Sequence, residues 1–321
     1  MKKATMKDIA REAKVSVATV SYILNKVGNQ KITDETRCRV LEAADKLNYT
    51  PSLTARSLVR GKSGMVALLF SRSERDGIWR QLYYGRLAER MEALCKQAGY
   101  HLLVLGMDAE RPSPEIIRQR EVDGVLLAGV KKEAFRDVSI HFSIGVPIVL
   151  LDNHIDDPLF HKVVIDYRQA FALWRERSAG RDGRRFLVLD AFLNESTMNT
   201  IVDAAQLDPE SIFVLTADNA DGLPVFLARH QGGCGTVLNE FVGVLVANAS
   251  RGLEIELTVL CTSGCAELLP PDVRILRSEE NKGQLEVAFE LMRFYIESTG
   301  KNPELLSSEA EYGEYVSIPL Q

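Results

Sequence analysis

Residues 5–24 read TMKDIAREAKVSVATVSYIL, and no other stretch limits the possible folds as much. Thr5 stands as an N-cap, and Asp8 sits where an acid completes a capping box against the exposed amides. Ile9, Ala10 and Ala13 form the apolar stripe of a short helix. Lys14-Val15 allows only a very tight turn. Ser16 then caps a second helix, with Val20, Ile23 and Leu24 as its buried side. A third helix, from Thr33 or Asp34 through Leu47, carries Val40, Leu41, Ala44 and Leu47 at helical spacing. Two helices joined this tightly and braced by a third make a helix-turn-helix, a unit whose second helix fits the major groove of DNA.

The second helix exposes Val17, Ala18, Ser21 and Tyr22, which form the expected base-reading set. Val17 and Ala18 offer no hydrogen bond, so they are suited to apolar edges such as the thymine methyl. Thr5, Ser16, Thr19 and Asn25 are suited to phosphates, contacts that position without specifying. The charge distribution agrees. The chain as a whole carries a formal net charge of -5. Residues 1–62 hold 13 basic and 6 acidic side chains, and the remainder holds 26 and 38. A basic head on an acidic body fits a DNA reader joined to a module with another task. Pro51 can start a short helix over Ser52–Leu58 that Gly61 and Gly64 end. Such a helix is too short to stand alone and needs DNA or a twin helix against it.

Behind the head, apolar runs alternate with helical patterns. Strands are expected at Met65–Phe70, Tyr100–Leu105, Val122–Leu127, Val146–Leu151, Val163–Ile165, Arg185–Leu189, Ser211–Leu215, Thr236–Leu238 and Glu256–Leu260. Helices are expected at Trp79–Gly99, with Leu82, Leu87, Met91 and Leu94 on its apolar side, at Pro114–Arg120 and at Tyr167–Ser178. Strands without alternation, separated by helices, indicate parallel sheets covered on both faces. The fold class is therefore multidomain, an all-α helix-turn-helix head plus an α/β body with parallel sheets.

The segment ATMKDIAREAKVSVATVSYILN, the third helix, and LNYTPSLTARSLVRGKSG together resemble the lactose/galactose repressor (LacI/GalR) family of bacterial transcription regulators. The resemblance implies a two-lobed periplasmic-binding-protein-like body. It divides the chain into a head at 1–49, a hinge at 50–62, a first lobe at 63–161 plus 277–311, and a second lobe at 162–272 plus 312–321. Residues 273–276 would cross between the lobes, and Asn281–Tyr295 would be a helix of the first. It further implies that Val17, Ala18 and Tyr22 choose the operator. Hinge helices would pair across a dimer in the minor groove, with Leu58 wedged into a base step beside Ala55. The partners implied are a near-palindromic double-stranded DNA operator, a second copy of the chain and a small-molecule effector, in the cytoplasm and away from membranes.

Effector candidates follow strand ends: Ser71 and Asp76, then Asp152 and Asp166, then Asn239 and Glu240. The second lobe departs from the family pattern. DAFLNESTMN at 190–199 lacks the arginine and glycine usual there, and Cys-Thr-Ser-Gly264 lacks the aspartate that binds sugar hydroxyls. An effector-independent, DNA-bending regulator with a degenerate cleft is the alternative. A small-molecule-binding protein or an enzyme on the same core ranks behind it. No cofactor and no metal are expected. The five histidines form no i,i+4 pair, and Cys261 and Cys265 lack companions for a zinc site. GGCG at 232–235 lacks the Lys-Ser/Thr of a phosphate loop, and no Gly-x-Ser-x-Gly elbow occurs. The non-enzyme reading follows.

Overall fold

In the head, the capping box at Thr5 opens helix α1 (Met6–Glu12), with the Thr5 and Asp8 side chains each bonded to the other's backbone. Lys14 takes a left-handed conformation at φ 52° and turns the chain within a few residues. The Ser16 hydroxyl accepts the Thr19 N–H at 3.0 Å and starts α2 (Val17–Leu24). Thr33 caps α3 (Asp34–Lys46). Ile9, Ala10, Ala13, Val20, Ile23, Val40, Ala43 and Ala44 form the core of this unit, with Leu24 and Leu47 at its margin. Leu41, expected inside, is 49% exposed, and Ala43 takes its place. The reason is angular. Val40, Ala43, Ala44 and Leu47 keep the i, i+3, i+4, i+7 stripe, whereas Leu41 lies about 100° round the helix from Val40.

The computed structural model describes residues 4–24, 32–49, 62–112, 120–139, 145–157, 160–178, 185–191, 194–279, 282–298 and 315–321. It divides into two units, Met1–Ser63 and Gly64–Gln321. Asn25, Ala55, Leu58 and the short helix expected at Pro114–Arg120 fall outside the described residues. No described helix is long and apolar enough to cross a membrane.

The second unit contains two parallel sheets. Its elements run β1 (Met65–Arg72), α4 (Ile78–Ala98), β2 (His101–Asp108), β3 (Gly124–Ala128), α5 (Lys132–Ser139), β4 (Ile148–Leu151), β5 (His161–Ile165) and α6 (Tyr167–Arg177). They continue as β6 (Arg185–Asp190), α7 (Glu195–Ala205), β7 (Ile212–Leu215), α8 (Leu223–Arg229), β8 (Cys234–Leu238) and α9 (Glu240–Ala249). The chain closes with β9 (Glu256–Cys261), β10 (Arg274–Arg277), α10 (Gln284–Ser298) and β11 (Tyr315–Ile318). The sheet orders are β11-β5-β4-β3-β1-β2 and β10-β9-β8-β6-β7.

Val66 to Phe70 and Gly124 to Ala128 are buried throughout, which is why these runs show no alternation. Gly99, at φ 79°, ends α4 by donating to the Cys95 and Lys96 carbonyls. Three expectations change. Strand β11 pairs with β5, so the tail completes the first sheet and not the second lobe. Residues 274–277 pair with β9 as an edge strand of the second sheet, so they are more than a crossing segment. Leu82, expected on the buried side of α4, is 50% exposed. The stripe Arg80, Tyr84, Leu87, Met91 and Cys95 faces inward in its place.

Val40→Ala should destabilise the head by ~2 kcal/mol, whereas Leu41→Ala should stay within about 0.5 kcal/mol. Amide hydrogen exchange of head residues in the full-length chain measures both. Equal losses would show that the stripe on α3 is wrongly placed.

Candidate nucleic-acid interface and interlobe cleft

Burial of Val20 and Ile23 fixes the rotation of α2 and turns its opposite side outward. That side carries Val17, Ala18 and Tyr22, all exposed, with Ser21 half-buried among them. The polar residues expected near the phosphates have local duties as well. The Thr5 hydroxyl donates to Asp8 Oδ2 at 2.6 Å, and the Ser16 and Thr19 hydroxyls lie 2.9 Å apart.

In the second unit, strand ends from both sheets converge on one cavity. It is lined by Trp79, Arg80, Tyr83 and Tyr84 from the start of α4 and by Gly129, Asp152 and Tyr167 beyond β3, β4 and β5. Asp190, Asn239 and Thr262 line it from the ends of β6, β8 and β9. This is the crevice at strand carboxyl ends where open α/β sheets hold ligands. Its volume is about 50 Å³, well below the ~300 Å³ at which small-molecule sites usually begin.

The cleft is narrow because α4 reaches across it. Trp79 packs with Phe186, Val188 and Val237, in the core of the second sheet. Arg80 Nε meets Asp190 Oδ2 at 2.6 Å, and its Nη2 donates to the Ala191 carbonyl at 2.5 Å. Its guanidinium also lies 5.8 Å from the centre of the Tyr84 ring, and that ring is stacked on Phe70. Further bonds cross nearby. The Thr197 hydroxyl donates to the Asp152 carbonyl at 2.8 Å, Asn194 donates to the Val130 carbonyl at 3.4 Å, and Arg90 donates to the Ser263 carbonyl at 3.0 Å.

Of the six cleft residues expected from sequence, Asp152 and Asn239 line the cavity and four do not. Ser71 is buried within β1. Asp76 accepts the Ser73 N–H at 2.8 Å, and burial raises its carboxyl above the ordinary carboxylate range. Asp166 caps α6 through the Gln169 N–H at 2.9 Å. Glu240 is fully buried, and its carboxylate accepts the N–H groups of Thr262, Ser263 and Cys265. It therefore holds the turn after β9 and does not face the cavity.

Asp152 and Asn239 adopt positive φ, at 48° and 74°, a conformation uncommon for residues other than glycine. Asn239 is held there by accepting the Phe241 N–H at 2.8 Å. Burial pushes the Asp152 carboxyl up to about 6, against the opposing effects of the Gln284 amide, the Ile165 N–H and Arg80. The sequence reading missed Trp79, Arg80, Tyr83, Tyr84, Tyr167 and Asp190. A usable signal was the density of large polar-tipped side chains in WRQLYY, directly after the first strand. Among the described residues no three His, Cys, Asp or Glu side chains gather as a metal site.

Two outcomes follow from these environments. Asp190→Ala should destabilise the second unit by ~3–5 kcal/mol, because it leaves the Arg80 charge buried without its partner. The double change Arg80→Met with Asp190→Ala should recover part of that loss in urea unfolding. Strictly additive losses would deny the pair its coupling. Asp152→Asn tests the raised carboxyl. A folded-state value above the unfolded one means that ionisation penalises the fold. The penalty grows as pH rises from ~4 to about 6 and is complete above that. The variant should therefore melt higher than the parent at pH 8, by ~1–3 kcal/mol, and show no such advantage at pH 4. A pH-independent difference would contradict this.

The comparisons with known proteins fall on both units. Residues 5–52 match the model of the bacterial regulatory proteins of the lacI family. A ribose operon repressor from Halalkalibacterium halodurans is 34% identical over 157 residues, which are 48% of this chain and 44% of that repressor. The match thus spans less than half of that relative's length. Catabolite control protein A from Staphylococcus xylosus is 28% identical over 270 residues, covering 78% of this chain and 79% of that protein. Among solved structures, the lac repressor dimer bound to operator and the anti-inducer ONPF superposes with a TM-score of 0.71 at 16% identity, covering 100% of this chain and 97% of that one. A transcriptional regulator CelR–cellobiose complex superposes with a TM-score of 0.57 at 16% identity, covering 99% and 98%. The head therefore matches the lacI family of bacterial regulatory proteins over residues 5–52, and the two-sheet unit behind it shares its fold with the lac repressor and CelR structures.

Proposed function

We propose that this chain is a repressor that binds a near-palindromic operator as a dimer and responds to a small molecule in its interlobe cleft. The observation that carries the reading is the outward side of α2. Val17, Ala18, Ser21 and Tyr22 lie together there, on a helix anchored through Val20 and Ile23. Val17 and Ala18 recognise thymine methyls, and Tyr22 adds surface and one hydroxyl. Ser16, Thr19, Thr5 and Asn25 serve the phosphates, and Ala55 and Leu58 act in the minor groove.

Two features support a dimer. The lac repressor that this fold resembles is described as a dimer bound to operator. In this chain, Ile78 and Leu82 on α4 and Val104 on the edge strand β2 are large exposed apolar side chains, 59%, 50% and 43% accessible. Apolar edge strands normally find cover. Asp152 and Asn239, the two sequence-chosen residues that line the cavity, support effector binding there.

Selection from random duplex DNA with the full-length protein tests the reading. A two-fold symmetric consensus should emerge, and changing Val17 and Ala18 together should alter the half-site sequence rather than only weaken binding. Affinity should fall steeply with salt, as phosphate neutralisation requires. Failure to enrich any symmetric site would overturn the proposal.

A further inference from the structure

The interlobe cavity holds more negative than positive charge, and its walls are aromatic. Three side chains that carry charge line it: Arg80, Asp190 and Asp152. Arg80 and Asp190 neutralise each other across the cleft at 2.6 Å. Asp152 has no ion-pair partner among the described residues; its carboxylate meets the Ile165 N–H at a long 3.4 Å and the neutral Gln284 amide. Tyr83 and Tyr167 line the same cavity and feel the Asp152 charge. Aromatic faces beside a buried carboxylate attract cations, both through the ring quadrupole and by direct pairing.

The chain itself shows how this cleft receives a cation. The Arg80 guanidinium sits between a carboxylate, a backbone carbonyl and the face of a tyrosine. Asp152, with Tyr83 and Tyr167, presents the same chemistry with a neutral amide, Gln284, beside it and no ion-paired cation among the described residues. Two buried donors also line the cavity and meet no acceptor, the Trp79 indole N–H and the Tyr84 hydroxyl. Both side chains are more than nine-tenths buried. A polyol suits this lining poorly. The carboxylate of Glu240 is turned away to hold the turn at 262–265, and that of Asp190 is committed to Arg80. Neither is left to accept sugar hydroxyls.

We propose that the effector of this cleft is a small organic cation, an amine or amidine carrying one hydrogen-bond acceptor, with its charge against Asp152 between Tyr83 and Tyr167 and its acceptor toward Trp79 and Tyr84. The inference rests on the reading of the cleft as an effector site and specifies the ligand class. At about 50 Å³ the cavity admits only a handful of non-hydrogen atoms without lobe movement, so the ligand is small.

The test compares glycinamide, a cation with one amide, with its neutral isostere propionamide and with ribose, at pH 7 on the full-length protein. Tryptophan fluorescence reports binding, because Trp79 is one of only two tryptophans and lines the site. Glycinamide should give a saturable change that Trp79→Phe abolishes, with propionamide and ribose at least ~10-fold weaker. Asp152→Asn should erase the preference for the cation, and Asp152→Ser serves if that variant does not fold. Equal or tighter binding of propionamide or ribose, no saturation by glycinamide, or a preference that survives loss of the carboxylate would each overturn the proposal. Operator selection by the ligand-free protein is scored separately. A chain that selects a palindrome but ignores glycinamide loses only the ligand class. A chain that binds glycinamide through Asp152 but selects no DNA loses only the regulator reading.

Discussion

The body of this protein depends on one charge pair made across its cleft. Arg80 and Asp190 belong to different lobes, and their side chains are 7% and 15% exposed. Removing two charges from water is costly, and their attraction compensates only when the remaining donors and acceptors are also satisfied. Here the Ala191 carbonyl and the Tyr84 ring complete the shell of the guanidinium. The position of Arg80 also determines that of its neighbour. Trp79 precedes it on α4 and enters the hydrophobic core of the second sheet. The first turn of one helix therefore carries both the polar and the apolar attachment between the lobes.

Sheet topology explains why the attachment occurs at this place. Both sheets are parallel and doubly wound, so loops of the two lobes gather at the carboxyl ends of strands. Gly129, Asp152 and Asn239 all leave their strands with positive φ. At Gly129 the conformation also makes room, because a Cβ there would lie 2.5 Å from the Tyr84 hydroxyl. At Asn239 the strained backbone is held by a local hydrogen bond from the Phe241 N–H and at Asp152 by one from the Ile165 N–H of the next strand, and both residues line the cavity.

Local rules made the head legible in the sequence. Its caps, its tight turn and its apolar stripe are decided within a few residues, so Thr5, Lys14, Ser16 and Val20 behave as their neighbours dictate. The strands of the body were legible too, because burial on both faces leaves continuous apolar runs. Errors arose where assignment depended on angle or distance. Leu41 lies about 100° from the true stripe of its helix and Leu82 roughly opposite the stripe of its own, and hydrophobicity alone does not separate them from Val40 or Leu87. The pairing of β11 with β5 joins residues some 150 apart in sequence, beyond the reach of local pattern. Arg80 reads as a solvated helix residue until Asp190, more than a hundred residues later, is placed beside it.

Glu240 shows how an apparent loss in the second lobe can be a change of function. The turn after β9 lacks the aspartate expected for sugar recognition, and Glu240, directly after Asn239, is by sequence a candidate to replace it. The geometry denies that role. Three backbone N–H groups of the turn converge on Glu240, and a carboxylate saturated in this way has little capacity left for a ligand. Its charge is used to fix the loop that carries Thr262, and the Thr262 hydroxyl in turn accepts from the Asn239 amide at 3.4 Å. The cleft thus retains a rigid polar rim on the second lobe while its acceptors face the protein. What remains facing the cavity is an aromatic wall, two donors and the Asp152 carboxylate, a lining selected more by charge and shape than by hydroxyl count.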